Sequence, residues 1–91
     1  MMTIYKYQIP IQDSIKLTLP KDALILSFQI QNGIPVLWAM VNTEAEREER
    51  SFLLFGTGHP IRITEGKHNL QFIGTIQDEN LPLVWHLFEE K

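Results

Sequence analysis

The segment Gly56-Thr57-Gly58-His59-Pro60 combines the residue types best suited to a small binding site. Two glycines permit positive φ angles and close backbone approach, so their N–H groups could form a concave nest for an anion. Thr57 adds a hydroxyl and His59 a titratable ring. No helix is predicted after the segment, so it is neither a Walker loop nor a dinucleotide fingerprint. The alternative, which the Gly and Pro punctuation favours, is a sharp corner between two strands.

His86 is the second residue that could contribute chemistry. It alternates with Val84 and Phe88 in a β-prone segment. A histidine in such a setting is usually a partly buried ring whose N–H binds a neighbouring carbonyl. The functional hypothesis is a polar group within an apolar surface that contacts a ligand or a partner. The candidate ligand-binding residues are therefore Gly56, Thr57, Gly58, His59 and His86.

Metal binding and catalysis have little support in the sequence. His59, His68 and His86 are the only histidines, and none forms a His-x-His or His-x-x-x-His pair. The chain has no cysteine, so thiolate metal sites and cysteine nucleophiles are excluded. No serine lies in a nucleophile-elbow context. We therefore expect no metal, no cofactor and no enzymatic activity.

The elements that must position these residues are short strands. Runs of alternating apolar and polar residues, separated by turn signals every 8–12 residues, are typical of antiparallel sheets. No amphipathic helix is visible, so the sequence predicts one all-β domain over residues 1–91, an antiparallel β-sandwich or partly open barrel of about six or seven strands. The predicted strands cover Ile4–Ile9, Ser14–Leu19, Leu24–Gln31, Val36–Val41, Ser51–Phe55, residues from Leu70 to Gln77, and Leu83–Phe88. The segment Ile61–Thr64 is a short strand at most.

Two of the predicted hairpins share a pattern. Each has an alternating strand, a polar turn, a proline, and a tryptophan three residues after that proline. In the first hairpin Asn32-Gly33 is a strong signal for a two-residue turn. The matched positions of Trp38 and Trp85 predict that both pack in the core. The return strands are apolar on both faces, which predicts that each is central in its sheet or is covered on its second face. In the first strand of the first hairpin, the alternation predicts four residues facing the core: Leu24, Leu26, Phe28 and Ile30.

The charged segment from Asn42 to Arg50 has helix-forming residues but no apolar face. It is predicted to be a solvated loop or a single frayed helical turn. Its carboxylates are the candidate contacts for a protein partner: Glu44, Glu46, Glu48 and Glu49.

Composition limits the classes of function. The formal net charge is −3, and the basic residues are scattered, which argues against direct nucleic-acid binding. No apolar run approaches the roughly 20 residues of a membrane span. The absence of cysteine favours a cytoplasmic location over a secreted one. An exposed strand such as Ile4–Ile9 could also pair with a second copy to form a homodimer.

The segments Phe55-Gly56-Thr57-Gly58-His59-Pro60-Ile61 and Leu83-Val84-Trp85-His86-Leu87-Phe88-Glu89 resemble an uncharacterised family of small proteins from bacteriophages and prophages. The resemblance extends over nearly the whole chain. It implies a setting in the cytoplasm of a bacterial host, or association with the virion, but no catalytic residues.

Three functional hypotheses follow. The first is a non-enzymatic phage or prophage accessory protein that binds a host or phage protein, for example as an inhibitor of a host nuclease or defence complex. Charge mimicry by residues 44–49 would serve such an inhibitor, although −3 is low for a mimic. The second is a small-anion or nucleotide-binding module at Gly56–Pro60. The third is a structural or assembly component of the virion.

Overall fold

The computed structural model describes residues 1–61 and 69–91 and contains seven antiparallel strands in two sheets. The first sheet has three strands in the order β1-β4-β3, and the second has four in the order β2-β5-β7-β6. The described residues contain no helix and no closed barrel. The strands are β1 Met2–Gln8, β2 Ser14–Pro20, β3 Leu24–Gln31, β4 Ile34–Asn42, β5 Arg47–Gly56, β6 Leu70–Gln77 and β7 Val84–Glu90.

The inner faces of the two sheets share one hydrophobic core, and the predicted all-β sandwich is confirmed. Alternate residues of each strand point into this core because side-chain direction in a strand has a period of two. β4 and β7, the return strands of the two hairpins, are interior strands of their sheets, as their apolar character on both faces predicts. The most completely buried apolar side chains come from both sheets: Ile9, Leu19, Leu37, Val41, Phe52 and Leu87.

The first hairpin, β3–β4, has the predicted two-residue turn. Asn32 and Gly33 both have positive φ angles, 51° and 78°, and Gln31 pairs with Ile34 across them. Asparagine and glycine tolerate this left-handed geometry, whose twist matches that of the flanking strands. The turn therefore fixes the register of the whole hairpin.

One part of the β3 prediction is wrong. Leu24 and Leu26 are exposed, and Ile25 packs against the core instead. A β-bulge between Ile25 and Ser27 is the reason, because an extra residue shifts the alternation by one position. Only from Phe28 onward do the side chains of β3 face the sides of the sheet that the alternation predicts.

The second hairpin, β6–β7, also has a bulge in its first strand, between Phe72 and Gly74. Its turn differs from the first. Asp78 accepts hydrogen bonds from the backbone N–H groups of Asn80 and Leu81, at 2.9 and 3.2 Å, and its own N–H donates to the carbonyl of Leu83. A short polar side chain thus organises a longer connection.

The tryptophan prediction holds for only one hairpin. Trp85 packs against the core, whereas Trp38 lies on the other face of its strand, in the row of Lys6 and Ser27. The two turns explain the difference. Pro35 lies inside β4 after a two-residue turn, whereas Pro82 belongs to the longer turn before β7, so equal spacing from proline ends on opposite faces.

The predicted loop or helical turn between Asn42 and Arg50 is confirmed as a loop only for residues 43–46 and is wrong for residues 47–50. β4 extends to Asn42, and β5 begins at Arg47, where it pairs with Pro20 of β2. Helix propensity is a weak preference, and pairing with a neighbouring strand overrides it. The predicted short strand after Ile61 and the turn before Asn69 lie largely outside the described residues.

An ion pair links β5 and β7 within the four-stranded sheet, and its arginine also reaches the residue before β3. Arg50 donates to both carboxylate oxygens of Glu89, at 2.6 and 2.8 Å, and to the carbonyl of Ala23 at 2.5 Å. The Glu89 side chain is only 6% exposed. Burial opposes ionisation, but the hydrogen bonds and charge of Arg50, together with Lys91, outweigh it and hold the pKa of Glu89 below its usual range.

Candidate functional site

The structure brings together two of the residues that the sequence singled out. Thr57 Oγ1 lies 2.6 Å from His86 Nε2, and Thr75 Oγ1 lies 2.9 Å from His86 Nδ1. Thr75 was missed at the sequence level, although it is the direct cross-strand neighbour of His86 in the β6–β7 pair. The partners of His86 are thus two hydroxyls, where a backbone carbonyl was expected.

This trio has limited chemical capacity. A neutral imidazole has one donor and one acceptor nitrogen, so His86 accepts from one threonine and donates to the other. Thr57 therefore has a base within reach, as a nucleophile requires. However, no described carboxylate is seen to hydrogen-bond His86, and the trio lies in the face of a sheet. The arrangement suits a polar contact point better than a catalytic centre.

The rest of the Gly56–Pro60 segment forms a corner at the end of β5. Gly58 has a φ of 83°, and the His59 ring packs edge-on to Trp85 with centroids 5.9 Å apart. A Cβ on Gly56 would lie 2.5 Å from His59 Nδ1, so glycine is required there while the ring keeps this position. The His59 ring therefore has a packing role in the corner, between Gly56 and Trp85.

The backbone of this corner offers little to an anion. The N–H of Thr57 donates to the carbonyl of Val84, and the N–H of His59 donates to the carbonyl of Gly56. Of the three turn amides, only that of Gly58 has no backbone partner among the described residues. A nest needs successive N–H groups pointing into one concavity. A hollow of about 270 Å³ lies beside the corner, lined by Gly56, Thr57, His59 and residues 82–85.

The four candidate carboxylates do not share one surface. Glu44 accepts from the N-terminal ammonium, and Glu48 accepts from the backbone N–H of Asp22. Glu49 pairs with Lys16 at 3.7 Å across β2 and β5, and Glu46 uses its backbone carbonyl to bind the N–H of Lys21. The structure thus separates them between the chain start, the β2 edge and the turn before β5.

No group of histidine and acidic side chains suited to a metal ion occurs in the described parts of the chain. Of the three histidines considered, His68 lies outside those parts. With no helix in residues 1–61 or 69–91, there is none long and apolar enough to span a membrane.

The sequence analysis missed an apolar surface on the outer face of the three-stranded sheet. Ile4 of β1 and Leu24 of β3 both pair with Met40 of β4, which forms an apolar row across all three strands. Met2, Ile4 and Leu24 are 60%, 56% and 54% exposed. We call the following residues the outer patch: Met2, Ile4, Leu24, Trp38 and Met40.

The outer patch has one charged neighbour on its face. Lys6 stands beside Trp38, and its ammonium donates to Gln31 Oε1 at 2.9 Å. A hollow of about 400 Å³ opens on the patch, lined by Met2, Thr3, Ile4 and Met40. The apolar residues on both faces of β4 were the feature of the sequence that could have indicated the patch, but the outer face was expected to be covered.

One comparison with known proteins identifies a family, and none gives a function. No curated protein and no solved structure matches the chain significantly. One family matches from the first residue to the last, residues 1–91, under the description "Domain of unknown function (DUF7352)". The chain therefore belongs to the DUF7352 family.

Proposed function

We propose that the chain is a non-enzymatic protein-binding domain and that the outer patch is its contact surface. The observation that carries the proposal is the row Ile4–Met40–Leu24, an apolar band that crosses a whole sheet, in which exposed Ile4 and Leu24 flank the half-buried Met40. Scattered apolar side chains are ordinary on a protein surface, whereas a contiguous band indicates an interaction site. Trp38 beside the row adds the residue type that most often anchors such contacts.

The chemistry of the patch defines the partner. It is almost uncharged and carries the hollow of about 400 Å³, so the matching surface is an apolar one that can enter this hollow. Lys6 at its margin favours a carboxylate or carbonyl on the partner, which would replace or share its bond to Gln31. The partner is a protein segment with apolar side chains and an acceptor at one side.

The setting of the proposal is a phage or prophage accessory protein that binds a host or phage protein in the bacterial cytoplasm. The resemblance of the Phe55–Ile61 and Leu83–Glu89 segments supports this setting. Inhibition of a host nuclease or defence complex remains one form of it. Charge mimicry by Glu44–Glu49 loses support because those carboxylates are dispersed, so an inhibitor would act through the outer patch.

The anion or nucleotide hypothesis has less support. Two of the three amides in the Thr57–His59 turn already donate to carbonyls, and the Thr57 hydroxyl is bonded to His86. A thermal-shift screen with phosphate and nucleotides distinguishes the two functions. We expect no stabilisation, whereas a ligand at 100 times its dissociation constant would add about 2.7 kcal/mol.

The test of the protein-binding function is capture from a bacterial host lysate with three forms of the immobilised chain. These are the wild type, Met40→Ser in the patch, and Leu81→Ser, whose apolar side chain is exposed outside the patch. We expect the same protein to be retained by the wild type and Leu81→Ser and to be lost by Met40→Ser. Equal retention by all three forms would overturn the assignment of the patch, and so would retention of nothing.

A virion component makes a different prediction. Its partner would be a capsid or tail protein, and the chain would be present in purified particles. Identification of the retained protein by mass spectrometry therefore separates accessory binding from a structural role.

A further inference from the structure

β1 has one side of its backbone free. On the β4 side, Met1 O accepts from the N–H of Thr43, and the N–H of Ile9 donates to Pro35 O. Main-chain groups alternate in direction along an antiparallel strand, so odd-numbered residues of β1 face β4. The even-numbered residues then present their N–H and C=O groups to the open side, and no strand in the described parts of the chain pairs with them: Met2, Ile4, Lys6 and Gln8.

β1 also lacks the features that protect the other sheet edges. β3 and β6 each contain a bulge, and β2 ends in Pro20 and carries the Lys16–Glu49 ion pair. Bulges, prolines and charges prevent unwanted pairing at an edge. β1 pairs with β4 in an unbroken seven-residue register and contains no proline.

Lys6 is the one charged residue in β1, and it does not guard the edge. Its ammonium reaches over β4 to Gln31 at the end of β3, at 2.9 Å, so the charge is drawn away from the open side. The open side is therefore regular, extended and neutral at its centre, which are the properties of a strand that accepts another strand.

We propose that β1 pairs antiparallel with β1 of a second copy of this chain, around a two-fold axis at Tyr5. This register is the one in which all seven residues of β1 find a partner. Tyr5 lies opposite Tyr5 of the second copy, Ile4 opposite Lys6, Thr3 opposite Tyr7 and Met2 opposite Gln8. Each outward-facing residue then exchanges two hydrogen bonds with its opposite residue.

The side chains favour a second copy as the occupant. No like charges stand opposite each other in this register, since Lys6 lies opposite Ile4. Moving the two-fold axis by one residue, from Tyr5 to Lys6, shifts the register by two residues and would place the two Lys6 side chains opposite each other, which is unfavourable. Tyr and Thr in direct opposition are favourable cross-strand neighbours.

The pairing joins the two three-stranded sheets into one six-stranded sheet. Its order is β3-β4-β1 followed by the same strands of the second copy in reverse. The two outer patches then lie side by side on one continuous face. Dimerisation also gives a domain of 91 residues stabilisation beyond its small core.

The first test is the oligomeric state, measured by sedimentation velocity of the full chain at micromolar concentrations. We expect twice the chain mass of 10.6 kDa for the wild type. Ile4→Pro removes one outward N–H but no hydrogen bond to β4, so it should fold and sediment as a monomer. A monomeric wild type, or a dimer that survives Ile4→Pro, would overturn the proposal.

The second test uses the absence of cysteine in the natural chain. In Tyr5→Cys the two thiols would be opposite each other, with Cα atoms about 4.5 Å apart, within the range for a disulfide. In Thr3→Cys, the matched control, the thiols would be four residues out of register, about 13 Å apart. We expect air oxidation to cross-link Tyr5→Cys at least tenfold faster than Thr3→Cys, and equal rates would contradict the register.

These tests are separate from those of the proposed function. The capture experiment changes Met40 of β4, whereas the dimer tests change residues of β1. A monomeric wild type that still binds the partner would reject the pairing alone. Loss of partner binding in a dimeric Met40→Ser chain would support both proposals.

Discussion

The hairpins β3–β4 and β6–β7 share one sequence pattern, yet their return strands bury opposite sets of residues. In β4 the inner face carries Leu37, Ala39 and Val41, and Trp38 is outside. In β7 the inner face carries Trp85 and Leu87. The tryptophans have the same spacing from a proline, but the two-residue turn of the first hairpin and the longer turn of the second set different registers.

This difference teaches that the turn, and not the local pattern, decides which residues are available for contact. A shift of one residue moves a whole strand face from core to solvent. In the first hairpin the result is an apolar outer face with Trp38 and Met40. In the second hairpin it is an outer face that carries His86 between two threonines.

The largest effect should come from exchanging the tryptophans for alanine. Trp85→Ala removes a side chain that packs against the core and His59, so the free energy of unfolding should fall by about 3 kcal/mol. Trp38→Ala, on the outer face, should cost about 1 kcal/mol because less apolar surface returns to water. Urea unfolding of both variants measures the difference. Equal losses would contradict the opposite placement of the two rings.

The second effect comes from a difference between the return strands at their last inner-facing residue, which is the apolar Val41 in β4 and the charged Glu89 in β7. The buried charge makes β7 depend on Arg50. Arg50→Met removes both short hydrogen bonds to the buried Glu89 carboxylate, which keeps Lys91 at 3.7 Å, and should lower the free energy of unfolding by about 3 kcal/mol. The matched control is Lys16→Met, which breaks the exposed pair with Glu49 and should cost less than about 0.5 kcal/mol. Similar urea midpoints for the two variants would show that the buried pair stabilises the fold no more than the exposed one.

The third effect is a pH dependence that only the second hairpin should confer. The pKa of Glu89 is lower in the folded chain than its usual value, so the unfolded chain binds the proton more readily. The carboxylate therefore stabilises the fold at neutral pH, and this contribution is lost as the pH falls from about 5 towards 2. The advantage of the wild type over Glu89→Gln in urea unfolding should be largest at pH 7 and shrink across that interval. A constant advantage would exclude Glu89 as its source.

The sequence was sufficient to predict the architecture where local pattern and tertiary pairing agree. Alternation located the first four strands, and Asn32-Gly33 located the tightest turn. The pattern failed at Leu24 and Leu26 because a bulge cannot be seen in alternation alone. It failed at residues 47–50 because their strand state comes from pairing with β2, far away in the chain.

The candidate site was predicted in part for the same reason. Thr57 and His86 could be selected by residue type, and the fold brings them together. Thr75 and the Ile4–Met40–Leu24 row depend on strand order and register, which connect residues distant in sequence. Apolar residues on both faces of β4 indicated a central strand but could not show that one face stays open.

The most direct test of the central claim is the affinity of the purified chain for the protein it retains, compared between Leu24→Ser and Leu81→Ser. Both leucines are 54% exposed, but only Leu24 belongs to the outer patch. Isothermal titration calorimetry should show a dissociation constant at least tenfold higher for Leu24→Ser, a loss of about 1.4 kcal/mol in binding free energy. The dissociation constant of Leu81→Ser should stay within twofold of the wild-type value. Equal changes in the two variants would contradict the assignment of the outer face of the three-stranded sheet as the binding surface.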